Sequence, residues 1–430
     1  MLDIKLLREN TEIVKQNIAK KQENEKLVLV DQILNLDKQW RKLIYDIDQF
    51  KSQRNKLSEE INKAKKAKQD ITLILEKAKE IPKKISEIEQ RSNELKKEIK
   101  IKLSKLPNLM KEDVPIGKDE SENVELKKVG TIKEKDFPIL NHVELCEKNN
   151  WADFETSAET SGNGFYYLIG DLALLNNSLI KFAIDFMQKK GYTCVEGPLM
   201  LRRKILEAAI DIEGFKDTIY KIENEDLNLI GTSEHSILGL LDGKTISEDK
   251  LPLKLFSYSM SFRKEVGSHG INEKGLWRTH QFNKVEQLIF ATPEKTWESF
   301  EELQKNSEEM MNELEIPYRV IEMCTGDLSL WKAKARDIEV YRPTTKEYGE
   351  VGSLSNCTDF QARELNIKVL KKDNTREVLH TLNNTVIATS RMMVAILENF
   401  QNKDGTVTIP KVLRPYMNNK NVMEQNKKLF

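Results

Sequence analysis

Two stretches of the chain place charged and aromatic side chains at a spacing that could form a nucleotide site. Between Phe256 and Glu265, apolar residues alternate with serine and arginine. In the second stretch, every second position carries a side chain able to contact a ligand: Arg278, His280, Phe282, Lys284 and Glu286. A period of two is typical of a half-buried β-strand. A strand face with arginine, an aromatic ring and glutamate suits a polyphosphate and a base better than it suits a protein core.

Arg263 is the strongest candidate for an ionic contact on the first strand. Its planar guanidinium can hold a phosphate or a carboxylate through two parallel hydrogen bonds, which a lysine cannot do. Ser261–Glu265, the glycine-containing loop 266–277 and Arg278–Glu286 together resemble motif 2 of the class II aminoacyl-tRNA synthetases, and the seryl-tRNA synthetases most closely. The resemblance spans nearly the whole chain. It implies ATP-dependent ligation of L-serine to serine tRNA through a seryl-adenylate intermediate.

The resemblance assigns ATP-binding roles on both strands of this motif. Arg263 matches the arginine that contacts the α-phosphate, Glu265 matches the acceptor for the adenine amino group, and Phe282 matches the ring on which adenine stacks. Lys264 belongs to the same ATP-binding set. In the loop, His269 and Lys274 could contact the tRNA acceptor end, but they fit equally well as solvated loop residues.

A second segment is expected to bind the amino acid. Gly231–His235 resembles the family's T-x-E signature, in which a carboxylate answers the substrate ammonium. Glu286 is expected near the substrate hydroxyl, and a site that must hydrogen-bond a hydroxyl rejects alanine by roughly 10⁴-fold or more. His235 is expected to be structural, since the chemistry needs no general base there. The implied serine-binding set is Thr232, Ser233, Glu234, Arg263, Glu286 and Thr385.

The segment Glu350–Arg363 resembles the family's second nucleotide-contacting strand. The resemblance places Mg²⁺ on Glu350 and Ser353, and oxygen ligands suit this hard cation. Gly352 and Leu354 depart from the family, in which serine and cysteine are usual, so any side-chain contact from position 352 is lost. The ATP contacts implied here are Glu350, Val351, Gly352 and Ser353.

The segment Leu382–Arg391 resembles motif 3 and runs into a predicted helix. Arg391 matches the motif 3 arginine at the γ-phosphate and the adenine face. Thr385 stands where many relatives have serine, and it is retained as a serine-binding residue. With motif 2, the implied catalytic residues are Arg263, Glu286 and Arg391.

The N-terminal part of the chain carries heptad repeats typical of a coiled coil. Apolar positions follow alternating spacings of three and four over residues 33–64 and again over 71–99. This pattern predicts an antiparallel helical hairpin about 50 Å long. From the residues alone it is either a dimerisation coiled coil or an arm that reaches a distant ligand. Residues 51–105 hold seventeen Lys or Arg against nine Asp or Glu, which could face a phosphate backbone or only solvate the helices. The resemblance implies an arm that grips the serine tRNA.

The predicted fold class is α+β, with an N-terminal antiparallel coiled-coil hairpin and an antiparallel-sheet catalytic domain. An amphipathic helix over residues 176–190 and the following Gly197-Pro198 resemble motif 1, which implies a homodimer. The first 27 residues are expected to form one short helix. The predicted parts are an arm at 1–106, a linker at 107–135, a class II aminoacylation domain at 136–417, and a polar tail at 418–430 that is expected to lack order.

Composition argues against several other classes of protein. The 430 residues carry no formal net charge, so no overall basic field points to nucleic acid. The four cysteines form no C-x-x-C pair and lie near no histidine at metal-ligand spacing, which predicts reduced thiols in a cytoplasmic protein. No apolar run approaches the length of a membrane span, and the first residues do not resemble a secretory signal.

Three alternatives stay open at this point. A paralogue could keep the fold as a non-catalytic coiled-coil binding protein, although Arg263, Glu286, Glu350 and Arg391 are all present. A synthetase for another amino acid, such as threonine, is weakened by the absence of a zinc-ligand set. An enzyme that charges a carrier protein is disfavoured by the long arm. The sequence does not decide whether selenocysteine tRNA is also a substrate.

Overall fold

The computed structural model describes residues 1–210, 217–265 and 274–429. The chain divides into two compact units, Met1–Pro107 and Asn108–Phe430. The first unit is helical in its described residues, with a 3₁₀ turn at Asn24–Lys26. Its helices are α1 (Ile4–Glu9), α2 (Thr11–Lys20), α3 (Leu27–Lys66) and α4 (Thr72–Leu103).

The helices α3 and α4 form the predicted antiparallel hairpin. Its seam buries apolar side chains from both helices, because the heptad spacing keeps them on facing sides. The ion pair between Lys51 and Glu89 (2.9 Å) and the hydrogen bond from Lys102 to Gln32 (2.9 Å) join distant positions and fix the antiparallel direction. The buried seam residues include Ile33, Ile47, Ala64, Ile81, Ile85, Leu95 and Ile99.

The single helix expected in residues 1–27 is wrong, because the chain forms two helices there. Asn10 separates α1 from α2 with a non-helical backbone (φ −137°, ψ 48°). Its amide still donates to the carbonyl of Leu6, so the residue closes one helix and opens the next. Arg8 of α1 holds the buried carboxylate of Asp37 on α3 through two hydrogen bonds of 2.8 and 2.6 Å. This contact docks the short helices against the hairpin.

The second unit combines one large sheet with helices and small accessory sheets. Its helices are α5 (His142–Asn149), α6 (Glu155–Ser161), α7 (Asp171–Lys189), α8 (Arg203–Ala209), α9 (Ser233–Leu240), α10 (Thr296–Glu313), α11 (Phe360–Glu364) and α12 (Thr389–Asn399). The shorter strands are β2 (Ala152–Asp153), β3 (Tyr167–Leu168), β5 (Met200–Leu201), β6 (Asn228–Leu229), β7 (Thr245–Ser247), β13 (Lys368–Leu370), β14 (Arg376–Val378), β16 (Val407–Thr408) and β17 (Val422–Met423).

The large sheet has eight strands in the order β1-β10-β11-β12-β15-β9-β8-β4. Neighbours run antiparallel except at the β4–β8 edge, which is parallel. The predicted α+β class with an antiparallel catalytic sheet is therefore confirmed. The strands are β1 (Val124–Val129), β4 (Thr193–Cys194), β8 (Leu253–Phe262), β9 (Gln281–Ala291), β10 (Tyr318–Glu322), β11 (Lys334–Arg342), β12 (Glu347–Asn356) and β15 (His380–Ala388).

The two faces of the sheet bury different helices. On β9, Val285 and Ile289 belong to the main core, which also contains apolar residues of α7, α10 and α12. Leu288 and Phe290 point the other way and join a smaller cluster with residues of α8, α9 and α11. On that second face, the polar half of β9 is left for a ligand, as the period of two predicted.

Three boundaries differ from the sequence-based expectations. The segment expected as a linker contributes strand β1, which pairs with β10 at the sheet edge. The tail expected to lack order contributes β17, which pairs with β16, and the carbonyl of Glu424 accepts from Trp151 Nε1 at 2.9 Å. The first motif 2 strand keeps its predicted length but lies three residues earlier, at Leu253–Phe262, and the second begins later than predicted, at Gln281. The polar, charged composition of the expected linker and tail therefore did not prevent these segments from pairing with neighbouring strands.

Candidate active site

A cavity of about 550 Å³ opens on the second face of the large sheet. Residues of β9, β12 and β15 line it, together with the segment before α9 and the ends of the two motif 2 strands. Most residues that the sequence singled out meet here. Those lining it are Thr232, Glu234, Arg263, Glu265, Phe282, Glu286, Glu350, Val351, Gly352, Ser353, Thr385 and Arg391.

Strand register explains why distant segments converge. Phe282, Lys284 and Glu286 occupy alternate positions of β9 and share the cavity face. Glu286 pairs with Thr385 on β15, where the register then shifts before Ile387. The carbonyl of Thr385 accepts from Ser307 Oγ of α10 at 3.1 Å, so this irregularity is anchored from behind.

Gly352 leaves room beside Thr385. An added Cβ at position 352 would lie 3.3 Å from Thr385 Cβ and 3.4 Å from its carbonyl oxygen. The first distance is shorter than ordinary van der Waals contact, and the second is at its lower limit. The absence of a side chain on β12 therefore decides how Thr385 is accommodated in the cavity wall.

Cationic and aromatic groups occupy one part of the cavity. Arg263 donates from Nε to the carbonyl of Gly231 at 3.2 Å, and its guanidinium carbon lies 5.3 Å from the ring centroid of Phe282. Such a cation–π contact holds the guanidinium over the ring. Glu265 lies 3.6 Å from Arg278 in an ion pair at the strand ends. This part of the cavity can bind a phosphate beside a planar ring.

Carboxylates occupy another part of the cavity. Glu286 forms an ion pair with Lys284, whose Nζ also lies 3.3 Å from Thr232 Oγ1. Glu234 is buried, and burial together with the nearby charge of Glu286 raises its pKa to about 7. Two carboxylates and one lysine leave this part acidic, which suits a ligand ammonium group.

An acidic pair lies where β11 and β12 run side by side. Asp337 pairs across the strands with Ser353, and its pKa is raised by burial and by Glu350. Partial burial disfavours charge on Glu350, whose side chain is 44% exposed, but the charge and hydrogen bond of Arg391, with the charges of Arg263 and Lys332, lower its pKa. Arg391 donates to the Glu350 side chain at 3.0 Å and to its carbonyl at 2.7 Å.

The same region fits a hard divalent cation in the presence of a phosphate ligand. Oδ1 of Asp337 and Oγ of Ser353 are buried near each other, and no other hydrogen-bond partner of either atom is found within the described part of the chain. Unpaired buried oxygens are costly unless a ligand satisfies them. Among those residues no group of three or more Asp, Glu, His or Cys forms a ready-made metal site. Phosphate oxygens would therefore have to complete the coordination.

Trp277 supports the cationic part from outside the predicted set. Its ring lies 5.6 Å from the guanidinium carbon of Arg391 and 4.4 Å from that of Arg342. Arg342 in turn donates to the buried carboxylate of Glu398 at 2.8 Å, and His142 contacts the same carboxylate at 3.3 Å. The residues flanking motif 2 are thereby tied to motif 3.

Two predicted site residues lie outside the cavity lining. Ser233 is buried, and its hydroxyl is 3.4 Å from the carbonyl of Ser257. Lys264 follows the end of β8, and its Nζ lies 5.5 Å from the ring centroid of Tyr220. Side chains on successive residues point in different directions, so adjacency in a motif did not guarantee access to the cavity.

Three histidine and lysine residues that the sequence singled out have different outcomes. His269 lies outside the described residues. Lys274 forms ion pairs with Glu147 and Glu155. His235 lines the cavity, and burial, with the charges of Arg263 and Lys284, lowers its pKa to about 3.

Sequence reasoning missed two charged groups of the cavity, Lys332 and Asp337. The alternating pattern did place Lys284 on the strand face of Phe282 and Glu286, but it assigned that lysine no role. Asp337 had no comparable local signal. It reaches the cavity because β11 pairs with β12, which is a long-range contact.

Comparison with known proteins gives a consistent family. Residues 1–110 match the seryl-tRNA synthetase N-terminal domain, and residues 218–400 match the tRNA synthetase class II core domain (G, H, P, S and T). The serine–tRNA ligase of Methanospirillum hungatei is 45% identical over 422 residues, 98% of this chain and 99% of the relative. The serine–tRNA ligase of Pyrococcus horikoshii is 44% identical, and the match covers 100% of this chain and 99% of the relative.

Solved structures of the same family resemble this chain over nearly its whole length. The crystal structure of seryl-tRNA synthetase from Pyrococcus horikoshii complexed with ATP has a TM-score of 0.92 at 43% identity, covering 99% of this chain and 100% of that one. The cytoplasmic serine–tRNA ligase of Naegleria fowleri in complex with AMP has a TM-score of 0.88 at 31% identity, covering 99% of each chain. With both domains matched, the chain belongs to the seryl-tRNA synthetase family of class II aminoacyl-tRNA synthetases.

Proposed function

We propose that the protein is a serine–tRNA ligase that joins L-serine to serine tRNA through a seryl-adenylate at the expense of ATP. One observation carries this proposal. The guanidinium of Arg263 and the carboxylates of Glu234 and Glu286 line one cavity, with Phe282 beside the guanidinium. A volume of about 550 Å³ is within the range of small-molecule sites.

In the first step, a carboxylate oxygen of serine attacks the α-phosphorus of ATP. The new P–O bond gives seryl-adenylate, and the bond to pyrophosphate breaks. Arg263 is placed to stabilise the charge at the α-phosphate and Arg391 that at the γ-phosphate, while Phe282 stacks on adenine. Glu265 accepts from the adenine amino group, whereas Lys264, which lies outside the cavity lining, would act on the nucleotide only at longer range. Positioning and electrostatic stabilisation do the work, without a covalent enzyme intermediate.

Selection of serine rests on the acidic part of the cavity. Thr232 and Glu234 answer the substrate ammonium, and Glu286 accepts from the substrate hydroxyl with Thr385 alongside. Alanine would leave these buried groups unpaired, which costs roughly 10⁴-fold in discrimination. Ser233 is buried behind this wall, so its contribution is to hold the segment rather than to contact the ligand.

Mg²⁺ fits beside the nucleotide. Glu350 and Ser353 would hold it, and the buried carboxyl group of Asp337 lies in the same acidic region. Bound there, the ion would neutralise charge on the ATP phosphates. Val351 and Gly352 contribute strand backbone at the same place.

In the second step, a ribose hydroxyl at the end of the tRNA attacks the seryl carbonyl and AMP leaves. The basic hairpin α3–α4 supports binding of the serine tRNA, because lysines that neutralise phosphates contribute affinity without reading bases. Whether selenocysteine tRNA is also accepted is a matter for charging assays with both tRNAs.

A homodimer is the proposed assembly. Large apolar side chains around α7 and β5 are exposed in one chain, namely Leu174, Leu199 and Met200. A second copy would cover such surface, as is usual for exposed apolar patches at interfaces. Sedimentation measurements would report the mass directly.

The cytoplasm is the proposed location, where tRNA is charged. Cys146, Cys194, Cys324 and Cys357 are free thiols, as expected in a reducing compartment. Within the described ranges, helices long and apolar enough to span a bilayer are absent.

Pyrophosphate exchange tests the function. Labelled pyrophosphate should enter ATP when serine is present and not when alanine or threonine replaces it. Arg263→Lys keeps the charge but loses the forked geometry, so exchange should fall by about 100-fold or more. Arg376→Lys, on an exposed position of β14, is the matched control and should leave exchange unchanged. Absence of serine-dependent exchange in the wild type would favour the non-catalytic paralogue.

A further inference from the structure

A buried carboxamide lies directly behind the acidic part of the cavity. Gln361 is on α11 and is fully buried. Its Nε2 donates to Glu234 Oε1 at 2.8 Å and to the carbonyl of Ala209 at 2.9 Å. Its Oε1 accepts from Thr381 Oγ1 at 2.5 Å. Gln361 itself does not line the cavity, and Glu234 is the hydrogen-bond partner through which it reaches the lining directly.

The orientation of this carboxamide is determined by its partners. The carboxylate of Glu234 and the carbonyl of Ala209 are both acceptors only, so the amide nitrogen must lie between them. Rotating the group by half a turn would oppose oxygen to oxygen in a buried place, which is costly. The single side chain therefore joins α8, α9 and β15 and holds one carboxylate oxygen of Glu234.

Among the described residues, Glu234 and Asp337 are the cavity carboxylates without an ion pair, whereas three others have one. Glu286 pairs with Lys284, Glu350 pairs with Arg391, and Glu265 pairs with Arg278. Glu234 has a neutral donor instead, and no ion pair to it is found in the described parts of the chain. A neutral donor orients a carboxylate without cancelling its charge, and it leaves that charge for an incoming cation.

The charged surroundings of Glu234 come from several elements. Glu286 and Lys284 face it from β9, Lys332 acts from the segment before β11, and the Cys357 thiol lies nearby. Burial and Glu286 raise the pKa of Glu234 to about 7, whereas the hydrogen bond from Gln361 and the charges of the two lysines lower it. Without the amide donor, less of the carboxylate would be ionised at neutral pH.

We propose that Gln361 is a positioning residue that holds Glu234 as an oriented, charged carboxylate for the ammonium group of the amino acid substrate. The inference rests on the proposed function, which assigns that ammonium to Glu234. Gln361 would act without contacting the ligand. Thr381 would help to orient it, because the Thr381 hydroxyl donates to the amide oxygen of Gln361.

The test compares three variants of the full-length protein in pyrophosphate exchange between pH 6 and 9. Gln361→Met keeps the length and removes every hydrogen bond. Gln361→Glu keeps the acceptor for Thr381 and brings a second carboxyl group against Glu234. Thr381→Val removes only the cap on the amide. Gln304→Met is the control, since this buried carboxamide of α10 bonds Glu308 at 2.9 Å and does not line the cavity.

The expected result separates serine from ATP. In Gln361→Met, the KM for serine should rise about 10-fold or more, as for a lost hydrogen bond to a charged group, while the KM for ATP changes less than about 2-fold. The KM for serine should fall as pH rises, because ionised Glu234 attracts the ammonium. Its midpoint should move to higher pH in Gln361→Met and further in Gln361→Glu. Thr381→Val should show the same shifts at smaller size.

Other outcomes overturn the proposal. Equal rises in the KM for serine and ATP, or an unmoved pH midpoint in a folded variant, would give Gln361 a purely structural role. If circular dichroism shows that Gln361→Met does not fold, the other two variants decide by the same criteria. Loss of serine-dependent exchange in the wild type would instead refute the proposed function, so the two failures are distinguishable.

Discussion

At the scale of single residues, most carboxylates of the cavity form an ion pair with a nearby cation. The pairs are Glu286 with Lys284, Glu350 with Arg391, and Glu265 with Arg278. This pairing favours the charged form of these carboxylates in a partly dry site, where burial raises the pKa of a carboxylate that lacks a cation. His235 differs from these carboxylates because its surroundings disfavour its charged form. Burial lowers its pKa most, and the charges of Arg263 and Lys284 lower it further.

His235 predicts a stability effect in acid. Its pKa is about 3 in the folded protein and near 6.5 in an unfolded chain, so the unfolded chain binds more protons between these values. Stability should therefore fall as pH drops below about 6.5. His235→Asn removes this titration and should lessen the loss between pH 7.5 and pH 5 by about 2 kcal/mol. Urea unfolding followed by tryptophan fluorescence measures the difference, and parallel pH dependences in the two proteins would contradict it.

At the scale of elements, the neighbouring strands β12 and β15 shape the part of the cavity wall that is proposed to bind serine. Thr385 precedes a register shift, and Ser307 of α10 holds its carbonyl. Gly352 stands opposite and has no side chain to crowd it. The two positions are in contact, so substitutions there should not act independently.

A double-mutant cycle tests this coupling. Gly352→Ser would bring a Cβ to 3.3 Å from Thr385 Cβ and push that side chain toward the substrate. We expect the KM for serine to rise about 10-fold, corresponding to about 1.4 kcal/mol. Adding Thr385→Ser removes the crowded methyl group and should recover most of the loss. Gly352→Ala should give a smaller effect, and strictly additive effects in the cycle would show that the two positions do not interact.

At the scale of the whole molecule, the chain divides two tasks between two units. The unit Met1–Pro107 carries the hairpin with its basic excess, whereas the cavity belongs entirely to Asn108–Phe430. The protein is neutral overall because acidic residues elsewhere balance the basic helices. Activation of serine and recognition of tRNA should therefore respond to different substitutions.

The hairpin lysines give the corresponding prediction. Lys63, Lys65 and Lys66 are exposed at the last turn of α3. Changing all three to glutamate should raise the KM for tRNA in charging and reduce the salt dependence of tRNA binding, by about 0.7 to 0.9 in the log–log slope per lost phosphate contact. Pyrophosphate exchange should stay unchanged. The triple arginine variant keeps the charge and is the control; an equal loss in both variants would exclude phosphate contacts.

Local periodicity made the main elements predictable. The heptads of α3 and α4 and the alternation of β8 and β9 were visible because residues that share a buried face recur at 3.5 or 2 positions. The pattern failed at short or weakly periodic pieces. It merged α1 with α2 across Asn10, and it missed β1 and β17, which gain their order from β10 and β16.

By itself, the sequence determined the family, the hairpin and the antiparallel sheet, and most of the site residues that it predicted line the cavity, since motif residues on one strand keep their side by geometry alone. Only the tertiary structure decided which side chains reach a ligand. It brought Asp337 beside Glu350, placed Gln361 behind Glu234, and buried Ser233 away from the cavity. These contacts join segments far apart in the chain, and their directions depend on strand register and packing, which no local pattern encodes.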